Sequence, residues 1–414
     1  MKRGSLFIFF LLLLLLFIGG IRSDWSLQPI RNLASTWFGP LPDKREVASP
    51  TIPPEDGPAT TEKGPTSSPI FQSTETTVSL AAIGDVLIHG SIWKDAAVGD
   101  GFYFDPMFQK VKGMLMDADL TFANSESMVG GKDLGLSDYP RFNSPFEIAD
   151  TLKNSGIDVV SMANNHTMDA NQVGILEAIR HWDSLGVVYT GANKDEADKE
   201  RLRVMEVDGV KIAFLAYTYG TNGIPVPADK PYLVNLLDEY KFVADIQQAK
   251  EKADVVAVSM HFGTEYTQEP TPEQQTWAQL AADAGADLII GHHPHVLQPI
   301  KWLERKSGGR TLVFYSLGNF LAAQEQQYPW RQIGAIAKVD ITKRVTIEGV
   351  SIDISNIRML PTYIKYRNWR DFEVLPLDQV TNDVLPGADQ FLVDTGKQLS
   401  RYETDVSILS SSSW

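Results

Sequence analysis

Short apolar segments that end in polar clusters constrain the fold of this chain more than any other sequence feature. Each has about four to eight residues and enough aliphatic and β-branched side chains to form a buried strand. They cover residues 78–83, 119–123, 157–163, 187–190, 254–260, 286–290 and 311–316. Because helices are predicted between several of them, the alternation indicates an α/β fold in which helices cover a largely parallel sheet.

Two of the intervening helices carry start and stop signals. Ser144-Pro145-Phe146-Glu147 predicts a capping box with proline at the first helical position, in a helix that ends before Gly156. Thr271-Pro272-Glu273-Gln274 repeats the arrangement, and Gly285 marks the end of that helix. Both helices lead through a glycine into a predicted buried strand.

Antiparallel strands are predicted in two places. Residues 202–207 and 210–216 flank Asp208-Gly209, which is a type I′ turn signal. Residues 333–341 and 345–354 resemble a second hairpin, which would extend the sheet. Residues 356–414 contain a predicted helix near 390–402, and the sequence does not define how this extension packs.

Polar side chains follow six of the predicted strands. Since the carboxyl ends of parallel strands share one edge of a sheet, and ligands bind there, we expect these side chains to meet. The clusters contain Asp85 and His89; Asn124, Ser125 and Glu126; Asn164, Asn165, His166 and Asp169; His261 and Glu265; His292, His293 and His295; and Ser316 and Asn319.

Six of the seven histidines fall in these clusters, which favours a metal site. The seventh, His181, lies in a predicted helix and is interpreted as a packing or surface residue. In an extended segment, His293 and His295 would point the same way, and Pro294 would stiffen their presentation. They could therefore serve one metal ion or two neighbouring ones.

The available ligands are nitrogen and oxygen, because the chain has no cysteine. Such ligands suit Mn, Fe or Zn, and there are enough of them for two divalent ions that share a carboxylate. Paired ions about 3.5–4 Å apart activate water and hold a phosphoryl or acyl oxygen. A histidine not bound to metal could then protonate the leaving group.

Several polar residues have simpler interpretations. Asn164 either binds metal or orders its loop through hydrogen bonds to the backbone. Asp169 and Glu265 either bind metal directly or orient the histidines. Asn319 is interpreted as part of the floor of the site. Tyr266 and Trp330 could line a substrate groove, but core packing is the simpler use.

The N-terminus predicts export. Lys2 and Arg3 precede an uncharged stretch at residues 4–21, which suits an uncleaved membrane anchor or, alternatively, a signal segment of a secreted protein. Residues 22–77 lack apolar periodicity, and eight of the 23 prolines fall between Pro40 and Pro69, so this stretch is predicted to be a disordered linker. The formal net charge of −15 argues against nucleic acid as a partner.

The order of the clusters resembles a known family. It runs Gly-Asp-Val-Leu-Ile-His, Asn-Ser-Glu, Ala-Asn-Asn-His-Thr-Met-Asp, His-Phe-Gly-Thr-Glu-Tyr, Gly-His-His-Pro-His-Val and Ser-Leu-Gly-Asn-Phe. This succession, from about residue 78 to residue 320, is similar to the CapA family of poly-γ-glutamate capsule biosynthesis proteins, which are related to calcineurin-like metallophosphoesterases. The resemblance implies a layered α/β sandwich of sheets flanked by helices, here over residues 78–355.

The resemblance also implies roles for particular residues. Asp85, Asn165, His261, His293 and His295 match metal ligands, and His166 matches the proton donor, with Asp169 beside it. The family of phosphoesterases has Asp-x-His where this chain has Asp85 and then His89. Its bridging aspartate is replaced within Asn124-Ser125-Glu126, where Glu126 is the candidate. These departures bear more on phosphatase activity than on metal binding.

Three functions remain open from the sequence. The resemblance implies synthesis, export or anchoring of poly-γ-glutamate outside the membrane, with a divalent-metal site of the hydrolase type. The first alternative is an extracytoplasmic metal-dependent phosphoesterase unconnected with capsule. The second is a non-catalytic protein that binds metal and polymer as the partner of a membrane synthase complex.

Overall fold

The computed structural model describes residues 73–414 of the 414-residue chain. The predicted anchor at residues 1–21 and nearly all of the predicted linker at residues 22–77 therefore lie outside the described residues. The first strand begins at Thr74, four residues before its predicted start, so the end of the predicted linker is strand. Across residues 73–414, every helix is too short or too polar to span a bilayer.

The strands of the described region form two large sheets and one small ribbon. In chain order they are β1 (Thr74–Val86), β2 (Ala97–Val98), β3 (Gly101–Phe102), β4 (Leu120–Ser125), β5 (Val159–Ser161), β6 (Val188–Thr190), β7 (Arg203–Val207), β8 (Val210–Thr218), β9 (Val255–His261), β10 (Leu288–His292), β11 (Ile300–Glu304), β12 (Arg310–Phe314), β13 (Asn319–Leu321), β14 (Ile333–Thr346), β15 (Gly349–Arg367), β16 (Arg370–Pro376) and β17 (Val406–Ile408).

Helices connect many of these strands and cover the outer faces of the sheets. They are α1 (Gly90–Asp95), α2 (Asp105–Phe108), α3 (Lys112–Leu115), α4 (Glu147–Asn154), α5 (Asn171–Leu185), α6 (Glu196–Glu200), α7 (Glu239–Lys252), α8 (Pro272–Ala284) and α9 (Ala388–Leu399). Short 3₁₀ turns lie at Lys132–Leu134, Pro231–Leu233, Pro329–Gln332 and Leu377–Gln379.

Both large sheets are mixed. The first has the order β16-β15-β14-β1-β4-β5-β6, with β1, β4, β5 and β6 parallel and β14, β15 and β16 added as antiparallel strands. The second has the order β11-β12-β10-β9-β8-β7, with β12, β10, β9 and β8 parallel and one antiparallel strand at each edge. The predicted α/β class is confirmed, and so are the sheets flanked by helices that the resemblance implied. The single, largely parallel sheet predicted from the alternation is wrong, because the strands divide between two mixed sheets.

The two sheets pack face to face, and this explains the continuous apolar runs in the sequence. Along β1, Leu80 and Ala82 face the core between the sheets, whereas Ala81 and Ile83 face the helices outside. The rings of Phe122 in β4 and Phe214 in β8 stack across the interface, with 5.9 Å between centroids. A strand covered on both faces needs apolar residues at successive positions, since its side chains alternate between two buried layers.

The two predicted capping boxes had different outcomes. Thr271 accepts a hydrogen bond from the Gln274 amide, the Gln274 side chain bonds back, and the helix ends at left-handed Gly285 as predicted. The capping box at Ser144 is wrong, because α4 begins at Glu147 and Phe146 occupies the cap position without a side-chain hydrogen bond. Ser144 instead donates its hydroxyl to Ser127 Oγ, which ties the loop before α4 to the loop after β4.

Both predicted hairpins are present, although the bounds of the second differ from the prediction. Asp208 and Gly209 both have positive φ between β7 and β8, as a type I′ turn requires. The second hairpin consists of β14 and β15, but its turn lies at residues 347–348 and not at 342–344. Both strands are longer than predicted, and the predicted boundary at residues 355/356 falls inside β15.

Residues after 355 pack against the sandwich. β16 pairs with the end of β15, and β17 pairs in parallel with residues 357–359 of β15, on the same edge as β16 and away from β14. The predicted helix near 390–402 appears as α9, and its Leu399 is buried in the core between the sheets. The indole of Trp414 donates to the Met114 carbonyl, so the last residue of the chain contacts the region of α3.

Candidate metal centre

The carboxyl ends of the parallel strands in both sheets meet at one edge of the sandwich. Asp85 in β1 is paired in register with Asn124 in β4, and His292 in β10 is paired with His261 in β9. The structure thus brings together side chains that lie more than 200 positions apart in the chain, such as Asp85 and His295. We call Asp85, Glu126, His261, His293 and His295 the buried centre.

Asp85 is fully buried and anchors the centre by contacting both sheets. Its Oδ1 accepts a hydrogen bond from Asn124 Nδ2 at 2.9 Å, and its Oδ2 lies 2.9 Å from His295 Nδ1. The His293 backbone N–H also donates to Oδ2 at 3.3 Å. Burial alone would raise the pKa of Asp85, but His292 and His295 outweigh it and hold the pKa well below its usual range. Asp85 is therefore an ionised carboxylate.

Close backbone packing allows Asp85 to reach this position. A Cβ atom on Gly84 would lie 2.0 Å from the Gly318 carbonyl oxygen, so only glycine fits there. The Asp85 N–H donates to the same carbonyl oxygen at 2.9 Å, and β13 pairs beside Asp85 through Asn319. The segment around Gly318 thus holds β1 at the point where it enters the centre.

Glu126 follows β4 and is fully buried without a hydrogen-bond partner for either carboxylate oxygen within the described residues. Its Oε1 lies 3.6 Å from His261 Nε2 and 3.5 Å from His295 Nε2. Burial raises the pKa of Glu126 well above its usual value. A buried carboxylate without partners costs several kcal/mol unless a proton or a cation compensates it, at about 1–3 kcal/mol for each unsatisfied group.

Two groups of ligand atoms are close enough to hold a metal ion, and they share Glu126. One consists of Asp85, Glu126 and His261, and the other of Glu126, His293 and His295. Within each group the ligand atoms lie within 4.8 Å of one another, and all five residues are buried. Each group could hold a metal ion, and the two groups have one carboxylate in common.

The conformation of the His293-Pro294-His295 segment differs from the prediction. His293 and His295 have φ values of 94° and 57°, so the segment is not extended. Positive φ is costly for residues other than glycine and is retained mainly at functional sites. The two rings nevertheless lie near each other, with 5.9 Å between centroids, because the backbone turns both side chains towards Glu126.

The protonation of the histidines suits metal binding. Burial lowers the pKa of His261 well below its usual value and lowers the pKa of His293 to about 3. Burial opposes protonation of His295 too, but the neighbouring carboxylates Glu126 and Asp85 raise its pKa to about 9. His261 and His293 are therefore neutral imidazoles, the form that binds metal, and a cation would replace the proton of His295.

The residues of the centre fit divalent metal ions. Among the described residues, Glu126 Oε1 and Oε2, His293 Nδ1 and Asn124 Oδ1 are buried polar atoms without hydrogen-bond partners. Buried polar groups are normally satisfied, so such a concentration at one point needs an explanation. Imidazole nitrogens and carboxylate oxygens are ligands that Mn, Fe and Zn accept.

Asn165, His166 and Asp169 lie on the loop after β5 and border the centre. Asn165 Oδ1 is 3.0 Å from His261 Nε2, so its amide oxygen faces the centre. Asp169 Oδ2 lies 2.7 Å from His166 Nδ1 and also accepts the Phe142 backbone N–H. Asp169 thereby holds the His166 ring in one orientation, which the edge of Phe142 supports from the side.

The other sequence candidates lie around the centre, and the histidines and the glutamate among them belong to neither ligand group. Asn164 bonds the Ser125 carbonyl and the His166 amide, so it orders the loop. His89 Nδ1 contacts the Leu87 carbonyl and the Ala323 amide. His292 Nδ1 is 3.2 Å from Asp85 Oδ1, without hydrogen-bond alignment. Asn319 bonds the His295 and Arg331 carbonyls, and Glu265 is exposed.

Tyr219 contacts the centre, and sequence reasoning did not identify it. Its ring lies 4.9 Å from that of His293 and 6.4 Å from that of His261, nearly parallel to the latter. Tyr219 directly follows β8, which was interpreted only as half of a hairpin. Because β8 is also parallel to β9, its carboxyl end reaches the same edge as the other clusters. Including the residue after the carboxyl end of β8, as was done for the other parallel strands, would have identified Tyr219.

Comparisons with known proteins identify relatives of this chain. The sequence matches the family described as "Bacterial capsule synthesis protein PGA_cap" over residues 79–324. The "PGA biosynthesis protein CapA" of Bacillus subtilis (strain 168) is 32% identical over 290 residues, covering 69% of this chain and 73% of that protein. The "Capsule biosynthesis protein CapA" of Bacillus anthracis is 28% identical over 258 residues, covering 60% of each chain. The resemblance found in the six clusters is therefore confirmed.

Among solved structures, the NAD nucleotidase of Haemophilus influenzae is similar with a TM-score of 0.42 and 13% sequence identity, covering 81% of this chain and 57% of that chain.

Proposed function

Because the chain belongs to the bacterial capsule synthesis protein family PGA_cap, we propose that it acts in the synthesis, export or anchoring of poly-γ-glutamate and carries a divalent-metal site of the hydrolase type. The names of its relatives from Bacillus subtilis and Bacillus anthracis support the polymer and the capsule context. Hydrolysis of the polymer would add water across a γ-amide bond and release a carboxyl group and an amine.

One observation carries the metal-dependent part of the proposal: two groups of buried ligand atoms share Glu126, whose carboxylate oxygens have no other partner in the described region. Asp85, Glu126, Asn165, His261, His293 and His295 are the proposed ligands. When bound, paired divalent ions supply Lewis-acid polarisation of a substrate oxygen and lower the pKa of water. The chain itself supplies buried ligand atoms that already lie close to one another.

His166 is the proposed proton donor. Its Nδ1 is committed to Asp169 at 2.7 Å, which leaves Nε2 as the nitrogen that can exchange a proton with a leaving group. Removing Asp169 would leave the imidazole present but free to rotate. Asp169 is thus a positioning residue in this proposal, and His166 is the group that touches the substrate.

The proposed location is the outer face of the cell membrane. Lys2 and Arg3 before the uncharged stretch at residues 4–21 support a single anchor with the folded part outside, and a cleaved segment of a secreted protein is the alternative. Addition of protease to intact cells should degrade the folded part in both cases. Release of the protein into the medium would contradict the anchor.

Metal content and hydrolysis of the purified full chain test the function. We expect close to two divalent ions per chain after loading with Mn, Fe or Zn, and fewer in Glu126→Gln. The matched control, Glu206→Gln, changes an exposed glutamate in β7 and should keep both ions. Hydrolysis of poly-γ-glutamate and of a generic phosphodiester should require His166, with His181→Gln as the histidine control.

The outcomes separate the candidate functions. A wild-type protein that holds no divalent ion contradicts the proposed centre. Metal binding and polymer binding without turnover of either substrate would favour a non-catalytic partner of a membrane synthase complex. Hydrolysis of the phosphodiester by a protein that neither binds nor cleaves poly-γ-glutamate would favour a phosphoesterase unconnected with capsule.

A further inference from the structure

Arg331 lies between two tyrosine rings on the short 3₁₀ turn Pro329–Gln332. Its guanidinium carbon is 3.5 Å from the centroid of the Tyr266 ring and 4.1 Å from that of Tyr328. A guanidinium stacked on aromatic faces keeps its N–H groups in the plane between the rings, where they can bind a planar anion. The rings thus hold the side chain in one orientation, and within residues 73–414 its guanidinium donates no hydrogen bond.

The neighbouring carboxylate of Glu325 does not form a hydrogen bond with the Arg331 guanidinium. Glu325 Oε2 lies 3.8 Å from Arg331 Nη1, which is too long for a hydrogen bond, and the Glu325 side chain is 52% exposed. The Arg331 side chain is itself 23% exposed, so solvent or a ligand reaches it. Because the Arg331 guanidinium is held in one orientation and its contact with Glu325 is weak, it is suited to replace Glu325 by an anion that accepts hydrogen bonds from it.

Arg331 is tied to the buried centre through two contacts. The Tyr266 ring that stacks on Arg331 lies 6.1 Å from the His295 ring, and the Tyr266 amide donates to the Pro294 carbonyl. The Asn319 side chain donates to the carbonyls of both His295 and Arg331. These contacts fix the position of the guanidinium relative to a proposed metal ligand, as an enzyme subsite requires.

A cavity of about 370 Å³ opens at this position, and Tyr266, Val296, Tyr328 and Arg331 contribute to its lining. Val296 directly follows His295, so the cavity lies beside the segment that carries this proposed ligand. The chain has a formal net charge of −15, and Glu265 and Glu325 are exposed nearby. A polyanionic substrate would be repelled by most of this surface and needs a local cation.

We propose that Arg331, held between Tyr266 and Tyr328, binds a carboxylate of the substrate in this cavity and positions the adjacent bond at the buried centre. The inference rests on the proposed function, because poly-γ-glutamate carries one free α-carboxylate on every residue. The bidentate fork of arginine matches a carboxylate, and stacking removes the conformational freedom that binding would otherwise cost. Arg331 is thus a determinant of specificity for acidic over neutral substrates.

Binding of a short γ-glutamate oligomer to the metal-loaded full chain tests this subsite. Calorimetry would compare the oligomer with its α-carboxamide form, which has the same backbone without the charges. Arg331→Met keeps an apolar stem between the tyrosines, and we expect it to weaken binding of the acidic oligomer about tenfold or more, because it removes a charge-assisted hydrogen-bonded pair. Binding of the carboxamide form should not change.

Two further variants serve as comparisons. Arg310→Met removes a guanidinium stacked on Trp302 at 3.9 Å, at the opposite end of β12 from the centre, and should leave binding unchanged. Glu325→Gln removes the competing carboxylate and should tighten binding of the acidic oligomer severalfold. Metal content and melting temperature of all variants should match the wild type, which separates loss of a ligand contact from loss of structure.

The results distinguish failure of this inference from failure of the proposed function. Equal affinity of wild type and Arg331→Met for the acidic oligomer overturns the role of Arg331 while leaving the polymer assignment intact. Weakening of both oligomer forms alike also overturns it, because the effect would then be one of shape and not of charge. A wild-type protein that does not bind the acidic oligomer overturns both the subsite and the polymer.

Discussion

Replacing Glu126 by glutamine should reverse the order of stability between wild type and variant when metal is added. Glutamine keeps the shape of the side chain and removes its charge. In metal-free wild-type protein, burial raises the pKa of Glu126 well above its usual value, and neither oxygen has a hydrogen-bond partner within residues 73–414. The Glu126 carboxylate therefore binds a proton more tightly in the native state than in the unfolded chain.

The sign of the pH dependence follows from this raised pKa. Its contribution to stability is fully present below the unfolded glutamate pKa of about 4.3 and is lost as the pH rises towards the folded value. At neutral pH the metal-free variant should thus be as stable as wild type or more stable, by up to about 3 kcal/mol, the cost of one unsatisfied charged group. The difference should shrink as the pH approaches 4.

Metal should act in the opposite direction. A ligand at a hundred times its dissociation constant stabilises the native state by about 2.7 kcal/mol, and wild type should gain this amount. The variant should gain much less, because Glu126 belongs to both groups of ligand atoms. Urea unfolding of the full chain, with a chelator or with excess Mn, measures both effects. A variant clearly less stable than wild type in chelator, or one with the full metal increment, would refute the reasoning.

Two further predictions concern the surroundings of the centre. Burial lowers the pKa of His89 to about 4. As the pH falls below about 6.5, His89 is therefore protonated in the unfolded chain before it is protonated in the native state, and the free energy of unfolding decreases. In urea unfolding, wild type should lose up to about 3 kcal/mol more than His89→Gln between pH 7 and pH 4. In Gly291→Ala, a Cβ atom would lie 2.0 Å from the Tyr315 carbonyl oxygen, which should push β10 from β12 and lower stability by about 3 kcal/mol or more. Gly113→Ala, in α3 with open space around the new methyl group, is the control and should be neutral or slightly stabilising.

The buried strands could be predicted because each is covered on both faces. The predicted strands at residues 254–260 and 286–290 overlap β9 and β10, where Val256 and Ile289 face the helices and Ala257 and Ile290 face the other sheet. Such continuous apolar runs are visible without knowledge of any partner. The division of these strands into two sheets could not be predicted from the apolar runs, because a strand that is covered on both faces has the same apolar sequence in either sheet.

The details of the loops depend on tertiary contacts and could not be predicted. Ser144 looks like a helix cap in sequence, but its hydroxyl bonds Ser127, a residue brought near only by the fold. The positive φ values of His293 and His295 are likewise imposed by their surroundings, including the hydrogen bond from the His293 amide to Asp85. No local pattern predicts this, since the partner lies 208 positions earlier in the chain.

The ligands of each proposed metal position come from both sheets, and this links the chemistry of the centre to the stability of the whole sandwich. Asp85 and Glu126 belong to the first sheet and its loops, whereas His261, His293 and His295 belong to the second. A divalent ion at either position would therefore cross-link the two sheets at their shared edge. Since a metal that binds only the native state raises its free energy of unfolding, the increment should appear in the unfolding of both sheets together and not as local protection of one loop.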